Sequence, residues 1–178
     1  MVKSLISSIL IIFCAAIIEL SILSNIPVLI VVPDLILICS IYFSLLNGRA
    51  YGVTTGFISG VILDFATGVP FGFNCLLRLL IGYFYGFFSN FLIVSGILMP
   101  MLSVAIGTIA KNLLSFLINF LYPNVHLNIA PLISNDFLFE LVANIILAPI
   151  IFKFLGIFKN ALSLKTIQDK VSNARKRK

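Results

Sequence analysis

Residues 60–74 read GVILDFATGVPFGFN, an apolar run that ends in a cluster of glycine and proline. Such a cluster marks a tight connection, so we expect a turn from Thr67 to Gly72. One apolar run leads into the turn from about Ala50, and another leaves it and continues to about Phe88. Because the connection is short, the two runs predict two neighbouring antiparallel helices.

Apolar runs of similar length flank this pair on both sides. They are Leu5–Ser24, Ile26–Leu46, Ile97–Leu121 and Ser134–Phe158. About 20 apolar residues are needed to cross a bilayer as a helix. Pro33-Asp34 interrupts the second run, so the helix either starts late or kinks at Pro33. A helix starting there would have only about 13 residues, too few to span, so we expect a kink at Pro33 or a short shoulder before it. The sequence predicts an all-α polytopic membrane protein, with a six-span bundle over residues 1–158 and a basic cytoplasmic tail over 159–178.

The composition agrees with a polytopic membrane protein. Of 178 residues, 61% are hydrophobic and 10% are charged, and the mean hydropathy is +1.18. A soluble domain has about 45–50% apolar and about 25% charged residues. This excludes a soluble nucleic-acid binder, so we expect no nucleic-acid partner. Three cysteines are also too few for the disulfide framework of a small secreted protein.

The basic residues are distributed unevenly. Residues 1–152 contain four basic and five acidic residues, whereas residues 153–178 contain eight basic residues and one acid. If six spans place both termini in the cytoplasm, the outer connections contain no Lys or Arg, which is the positive-inside pattern. We therefore expect cytoplasmic termini.

The tail carries an amphipathic pattern. Its apolar residues at helical spacing, with lysines between them, are Leu164, Ile167, Val171 and Ala174. This pattern predicts an interfacial helix that binds anionic lipid. A topology anchor alone, or docking of a cytoplasmic partner, are the alternatives.

Glycines recur every four residues in the two central runs. They are Gly48, Gly52, Gly56 and Gly60, followed by Gly82 and Gly86. Spacing of four keeps them along one face, where the missing side chains let another backbone approach closely. We expect the third helix to pack against the fourth on this face, and a dimer seam or a partner-docking groove is the alternative.

Six ionisable residues lie inside the apolar runs, all within about 15 Å of the outer surface in the predicted topology. They are Glu19, Asp34, Asp64, Arg78, Lys111 and Glu140. Insertion of Asp, Lys or Arg at a helix centre costs roughly 2.5–3.5 kcal/mol, so these side chains should avoid lipid. Buried ion pairs that fix helix packing are the first interpretation. An outward-opening pocket for a small molecule or ion, or contact with a partner's membrane helix, are the alternatives.

Among these residues we expect Asp64 to pair with Arg78, directly or through a water, because the short turn makes their helices neighbours. Asp64 also lies near the C-terminal end of its helix, where the helix dipole disfavours an anion. Lys111 is the competing cation. The sequence contains no catalytic, cofactor-binding or metal-ligating constellation, so we expect no enzyme and no cofactor.

Three further patterns lie between Pro33 and Phe88. The first is Pro33-Asp34-Leu35 at the start of an apolar helix, and the second is Asn47-Gly48 before the glycine series. The third is the motif G-x-x-x-D-x-x-x-G-x-P-x-G-x-N, which is followed by Gly82-Tyr83. Its fixed positions are Gly60, Asp64, Gly68, Pro70, Gly72 and Asn74. Together they resemble the rod shape-determining protein MreD family. The resemblance supplies no catalytic residues, so Asp34, Asp64 and Asn74 are motif positions without assigned chemistry. Arg78 is not a recognised feature of that family.

The resemblance implies a multi-pass scaffold of the bacterial inner membrane that helps to hold the cell-wall elongation machinery together. Its implied partners are an MreC-like bitopic protein, the actin-like MreB filament and the peptidoglycan synthases. The family also looks like a relative of the substrate-binding subunits of energy-coupling-factor transporters, which share a six-helix bundle with an outward-opening pocket. A small-molecule transporter subunit is therefore the alternative function, and a membrane enzyme is the third.

Overall fold

A computed structural model describes residues 2–23, 31–90, 96–121 and 134–163. These residues form helices and no β-strand, which confirms the all-α prediction. The helices are α1 (Val2–Ile17), α2 (Leu35–Asn47), α3 (Arg49–Thr67), α4 (Phe73–Phe87), α5 (Leu98–Leu121), α6 (Asn135–Ile157) and the short α7 (Lys159–Leu162). A π-helical turn, Ile18–Ile22, continues α1, and a 3₁₀ turn, Phe88–Asn90, follows α4.

Three of the described helical segments are long and apolar enough to cross a membrane: Ser4–Ser21, Leu98–Leu121 and Asn135–Ile157. Two further helices, α2 and α4, are apolar but have only 13 and 15 residues. The architecture is that of a helical membrane protein. Six membrane crossings and the likeness to energy-coupling-factor subunits stay predictions. The division at residue 158 also stays one, because the tail beyond Ser163 lies outside the described residues.

Helix α2 is the centre of the bundle. Every residue from Ile36 to Leu45 is buried, and the helix contacts α1, α3, α4, α5 and α6. Since its 13 residues extend only about 20 Å, α2 is too short to cross a hydrocarbon core of about 30 Å. Its first turn lies inside the protein, because Ile36, Leu37 and Ile38 have no exposed surface.

The predicted kink at Pro33 is wrong, because α2 begins after this proline, which is the late start that was the alternative. A shoulder before Pro33 falls largely on residues 24–30, which lie outside the described residues. Val32, Pro33 and Asp34 are not helical, and Asp34 caps the helix by accepting the N–H of Leu37 at 2.8 Å. A side-chain oxygen at this position satisfies one of the donors that the first turn leaves without a partner. The sequence Pro33-Asp34 is thus a helix start and not an interruption.

Helices α3 and α4 form the closest pair of the bundle. A Cβ added at Gly52, Gly56 or Gly60 would lie under 3.0 Å from backbone atoms of α4. One added at Gly82 or Gly86 would be equally close to the backbone of α3. At four-residue spacing, these glycines bring the two backbones into direct contact.

A hydrogen-bond network joins the ends of the described chain. The Tyr51 hydroxyl lies 2.6 Å from Ser8 Oγ and 3.0 Å from Ser4 Oγ. Ser4 Oγ in turn donates to the carbonyl oxygen of Leu162 at 2.5 Å, and Asn47 Nδ2 donates to the same oxygen at 3.0 Å. The start of α1 and the end of α7 therefore lie at one end of the bundle.

We predict that Gly52→Ala destabilises the protein, whereas Gly156→Ala does not. The Cβ at position 52 would meet the carbonyl of Gly82, so the two backbones must separate, and overpacking of this kind typically costs about 1–3 kcal/mol. Gly156 is the matched control, since its helical Cβ would meet nothing within 4 Å. The measurement is the thermal unfolding midpoint of the purified full chain in detergent. Equal midpoints for the two variants would show that the glycine contact is not tight.

Candidate functional site

A buried ion pair links Asp34, at the start of α2, to Arg78 in the middle of α4. The Arg78 Nη2 atom lies 2.7 Å from Oδ1 and 2.8 Å from Oδ2 of Asp34. Arg78 is 3% exposed and Asp34 is 5% exposed. Charges this deeply buried are stable only when they are paired and hydrogen-bonded. The pair therefore fixes the position of α4 against α2.

The predicted direct pair between Asp64 and Arg78 is wrong. Asp64 instead caps the start of α4, where Oδ2 accepts the N–H of Gly72 at 2.8 Å and Oδ1 accepts the N–H of Asn74 at 2.8 Å. The first N–H groups of a helix have no partner within it, and the positive end of the helix dipole attracts an anion. The start of α4 thus compensates the Asp64 charge, which leaves Arg78 free to bind Asp34.

The remaining motif residues shape the turn between α3 and α4. Gly68 and Gly72 have φ angles of +67° and +99°, which side chains rarely adopt. Pro70 accepts the N–H of Phe73 at 3.1 Å, and Gly60 lies against the backbone of Cys75. The motif G-x-x-x-D-x-x-x-G-x-P-x-G-x-N therefore encodes a capped helical hairpin.

Lys111 of α5 brings a second cation to Asp34 and connects it to α6. Its Nζ donates to Asp34 Oδ2 at 3.2 Å and to the carboxylate of Glu140. The side chains of Lys111 and Glu140 are 19% and 13% exposed. One carboxylate, that of Asp34, thus gathers donors from α2, α4 and α5, and Lys111 extends the contact to α6.

A layer of neutral polar groups supports this charge cluster, by which we mean Asp34, Arg78, Lys111 and Glu140. The Asp34 N–H donates to Asn144 Oδ1 at 2.8 Å, and Asn144 Nδ2 donates to Thr108 Oγ1 at 3.1 Å.

Sequence reasoning missed both Asn144 and Thr108, which are fully buried. The four-residue spacing of Glu140 and Asn144 was an available signal, since it places both on one face of α6. An uncharged asparagine within an apolar run does not by itself indicate a buried polar site.

Glu19 lies in the π-helical turn after α1 and also reaches α2. Its Oε2 accepts the N–H of Ile36 at 3.0 Å, and the residue is 8% exposed. Glu19, Asp34 and Arg78 line the same cavity of about 230 Å³, together with Lys111 and Asn74. The cluster therefore combines a structural junction with a small polar cavity.

The chemistry of the site is that of fixed charges and hydrogen bonds. In the residues that the structure describes, no three His, Cys, Asp or Glu side chains are placed to hold a metal ion. Cys14, Cys39 and Cys75 are free thiols. The single histidine, His126, and the loop that contains it lie outside the described residues.

Comparison with known proteins gives one family. The family model described as rod shape-determining protein MreD matches residues 2–158 of the chain. The matched range includes the whole charge cluster and the hairpin between α3 and α4. No curated protein and no solved structure matches the chain.

We predict that Asp34→Asn and Arg78→Gln each destabilise the protein, and that their combination costs less than the sum of the two. Removing one member of a buried pair leaves the other uncompensated, which typically costs about 3–5 kcal/mol, whereas removing both can be nearly neutral. Asp34→Asn should be the worse single change, because Lys111 also depends on this carboxylate. The measurement is a double-mutant cycle on unfolding midpoints in detergent.

The matched control is a second cycle with Asp64→Asn in place of Asp34→Asn. Asp64 binds the backbone of α4, so its effect should simply add to that of Arg78→Gln. Additivity in the Asp34 cycle, or coupling in the Asp64 cycle, would contradict the arrangement.

Proposed function

The chain belongs to the rod shape-determining MreD family, and from this premise we propose that it is a scaffold of the cell-wall elongation machinery that docks to an MreC-like bitopic protein. Family membership assigns the chain to rod-shape determination, and its long apolar helices make it a membrane protein. The match over residues 2–158 is the observation that carries the proposal. The scaffold acts by holding helices in place and not by turnover.

The internal use of the charges supports a static framework. Asp34, Arg78, Lys111 and Glu140 bind one another across four helices. Such buried contacts set which helices pack together and at which register. A rigid bundle of this kind presents a fixed outer surface to a partner.

A groove between α1, α2 and α6 is the docking face we propose for the single membrane helix of the bitopic partner. It has a volume of about 620 Å³, and apolar side chains such as Leu10, Phe154 and Phe158 line it. Cys14 and Ala15 are small residues of the same groove, and small residues let a helix approach closely in a membrane. The flanking helices α1 and α6 lie in segments long enough to cross a bilayer, so a third helix can run beside them.

In this proposal the scaffold lies in the bacterial inner membrane with both termini in the cytoplasm. The positive-inside pattern and the contact between Ser4 and Leu162 both support termini on one side. From there the chain reaches the actin-like MreB filament and the peptidoglycan synthases, directly or through the MreC-like partner. The tail over residues 159–178 binds anionic lipid in this proposal.

A substrate-binding subunit of a small-molecule transporter is the second candidate. The polar cavity beside Arg78 is the observation that favours it, whereas the family match favours the scaffold. Co-purification of transporter ATPases in place of an MreC-like protein would support the transporter subunit.

We predict that Cys14→Trp weakens co-purification of the MreC-like partner, because the indole would fill the proposed groove. Cys14 is exposed, so the change should leave the fold intact. The control is Ile106→Trp, which adds the same side chain at an exposed position of α5 outside the groove. The measurement is partner recovery with the tagged chain, normalised to its own yield.

Equal partner recovery with the two variants would show that the partner does not dock in this groove. Failure of the unaltered chain to recover the partner would contradict docking itself.

We predict that reporters fused after Lys178 and inserted within residues 124–128 lie on opposite sides of the membrane. The expected cytoplasmic location of the C terminus follows from the eight basic residues after position 152. Paired cytoplasmic and periplasmic reporters at each site give the measurement. Reporters on the same side would refute the six-span topology and leave the family assignment unaffected.

A further inference from the structure

Helices α5 and α6 are held together near the charge cluster and separate away from it. Lys111 binds Glu140, and Asn144 donates to Thr108 at 3.1 Å, so α6 runs antiparallel to α5. Toward the start of α5 and the end of α6, a groove of about 570 Å³ opens between the two helices. Ligand pockets commonly measure about 300–1,000 Å³. This α5–α6 groove is therefore large enough for an organic guest.

Apolar side chains form most of the wall of the α5–α6 groove. Pro100 and Phe152 are buried there, whereas Ile97 and Ile150 are 68% and 60% exposed. Gly156 also lines the groove, and a Cβ placed on it would meet no described atom within 4 Å. The described residues thus leave an apolar groove unfilled at the surface of the bundle.

Lys153 is the one charged side chain among the described residues that line the groove. It is exposed and forms no ion pair within the described part of the chain. The closest acidic residue on its own helix, Glu140, lies 13 positions away, which is about 20 Å along α6. The groove therefore combines an apolar wall with a cation that is available to an anionic group.

The length of the groove distinguishes between a lipid and a partner's membrane helix. Along α6 it extends from Pro149 to Gly156, a distance of about 10 Å. The hydrocarbon core is about 30 Å thick, so the groove lies within one leaflet. A membrane helix crosses both leaflets, whereas a lipid occupies only one. Lys153 is four positions from the end of α6, which is the depth of a headgroup region.

We propose that the α5–α6 groove binds an anionic phospholipid. An acyl chain packs against Pro100, Ile150 and Phe152, and the oxygens of the headgroup accept from Lys153. One basic residue near the surface contributes about 1 kcal/mol with anionic lipid, which is about a five-fold preference over a lipid without net charge. The proposed topology makes this a lipid of the inner leaflet. The site is separate from the tail and from the proposed docking face, so the scaffold function does not depend on it.

The test uses the absence of tryptophan from the sequence, because a single introduced indole then reports on the lipid beside it. Ile150→Trp places the indole at the groove. Ile106→Trp is the matched control, since Ile106 is also 60% exposed but does not line the groove. The two positions lie seven and eight residues from the same end of the helix pair, and hence at similar depth.

The full chain is reconstituted in phosphatidylcholine vesicles, and quenching of the indole by brominated phosphatidylglycerol is compared with quenching by brominated phosphatidylcholine. At position 150 the relative binding constant should favour phosphatidylglycerol about five-fold, and at position 106 it should favour neither lipid. Lys153→Gln should remove the preference at position 150. Lys159→Gln should retain it, because Lys159 is exposed but does not line the groove.

Equal quenching by the two lipids at position 150 would overturn the proposal and show that Lys153 is only solvated. Quenching at position 106 but by neither lipid at position 150 would also overturn it, since protein, such as a second copy of this chain, would then cover the groove. The measurement does not depend on which side of the membrane the termini occupy, so either result leaves the proposed topology and scaffold function to their own tests.

Discussion

The bundle depends on one carboxylate that cannot be left unpaired. Asp34 lies almost fully buried at the start of α2, where an uncompensated charge would cost several kcal/mol. Its oxygens accept from Leu37, Arg78 and Lys111, and its own N–H donates to Asn144. These donors and acceptors come from α2, α4, α5 and α6. The need to satisfy one group therefore brings four helices to the same point.

Two kinds of contact hold the helices together: close packing at glycines and polar contacts. In lipid, apolar side chains gain little by leaving the solvent, so packing of small residues and polar contacts decide which helices meet. Glycines bring α3 and α4 together along their length, with Gly52 against Gly82, and Asp64 closes that hairpin from the turn. The Asp34 cluster then joins the hairpin to α2, α5 and α6. The hairpin of α3 and α4 and the ion pairs around Asp34 are thus separate features of the fold.

Local signals made much of the hairpin predictable. The fourth run was expected from Phe73 to about Phe88, and α4 covers Phe73–Phe87, because glycines end the turn and the apolar pattern continues from there. The glycine spacing predicted the face on which α3 and α4 pack. The position at which α2 begins was harder to predict, since a proline can lie either at a kink within a helix or near the start of one.

The ion pairs could not be predicted from position in the chain. Because α3 and α4 are neighbours, Asp64 was the expected partner of Arg78. Asp64 instead accepts backbone N–H groups at the start of α4. Asp34 is 44 positions from Arg78, and only the three-dimensional arrangement of α2 against α4 brings them together. The same holds for the Nε and Nη1 atoms of Arg78, which have no hydrogen-bond partner among the described residues, because satisfaction of hydrogen bonds depends on geometry and not on residue type.

Native-state amide hydrogen exchange of the full chain in lipid nanodiscs, with and without Asp34→Asn, tests the central role of Asp34 most directly. Asparagine keeps an oxygen that can cap α2 but removes the charge that binds Arg78 and Lys111. The account predicts faster exchange in α4, α5 and α6 together, with little change in the first turn of α2. Unchanged exchange in those three helices would contradict it.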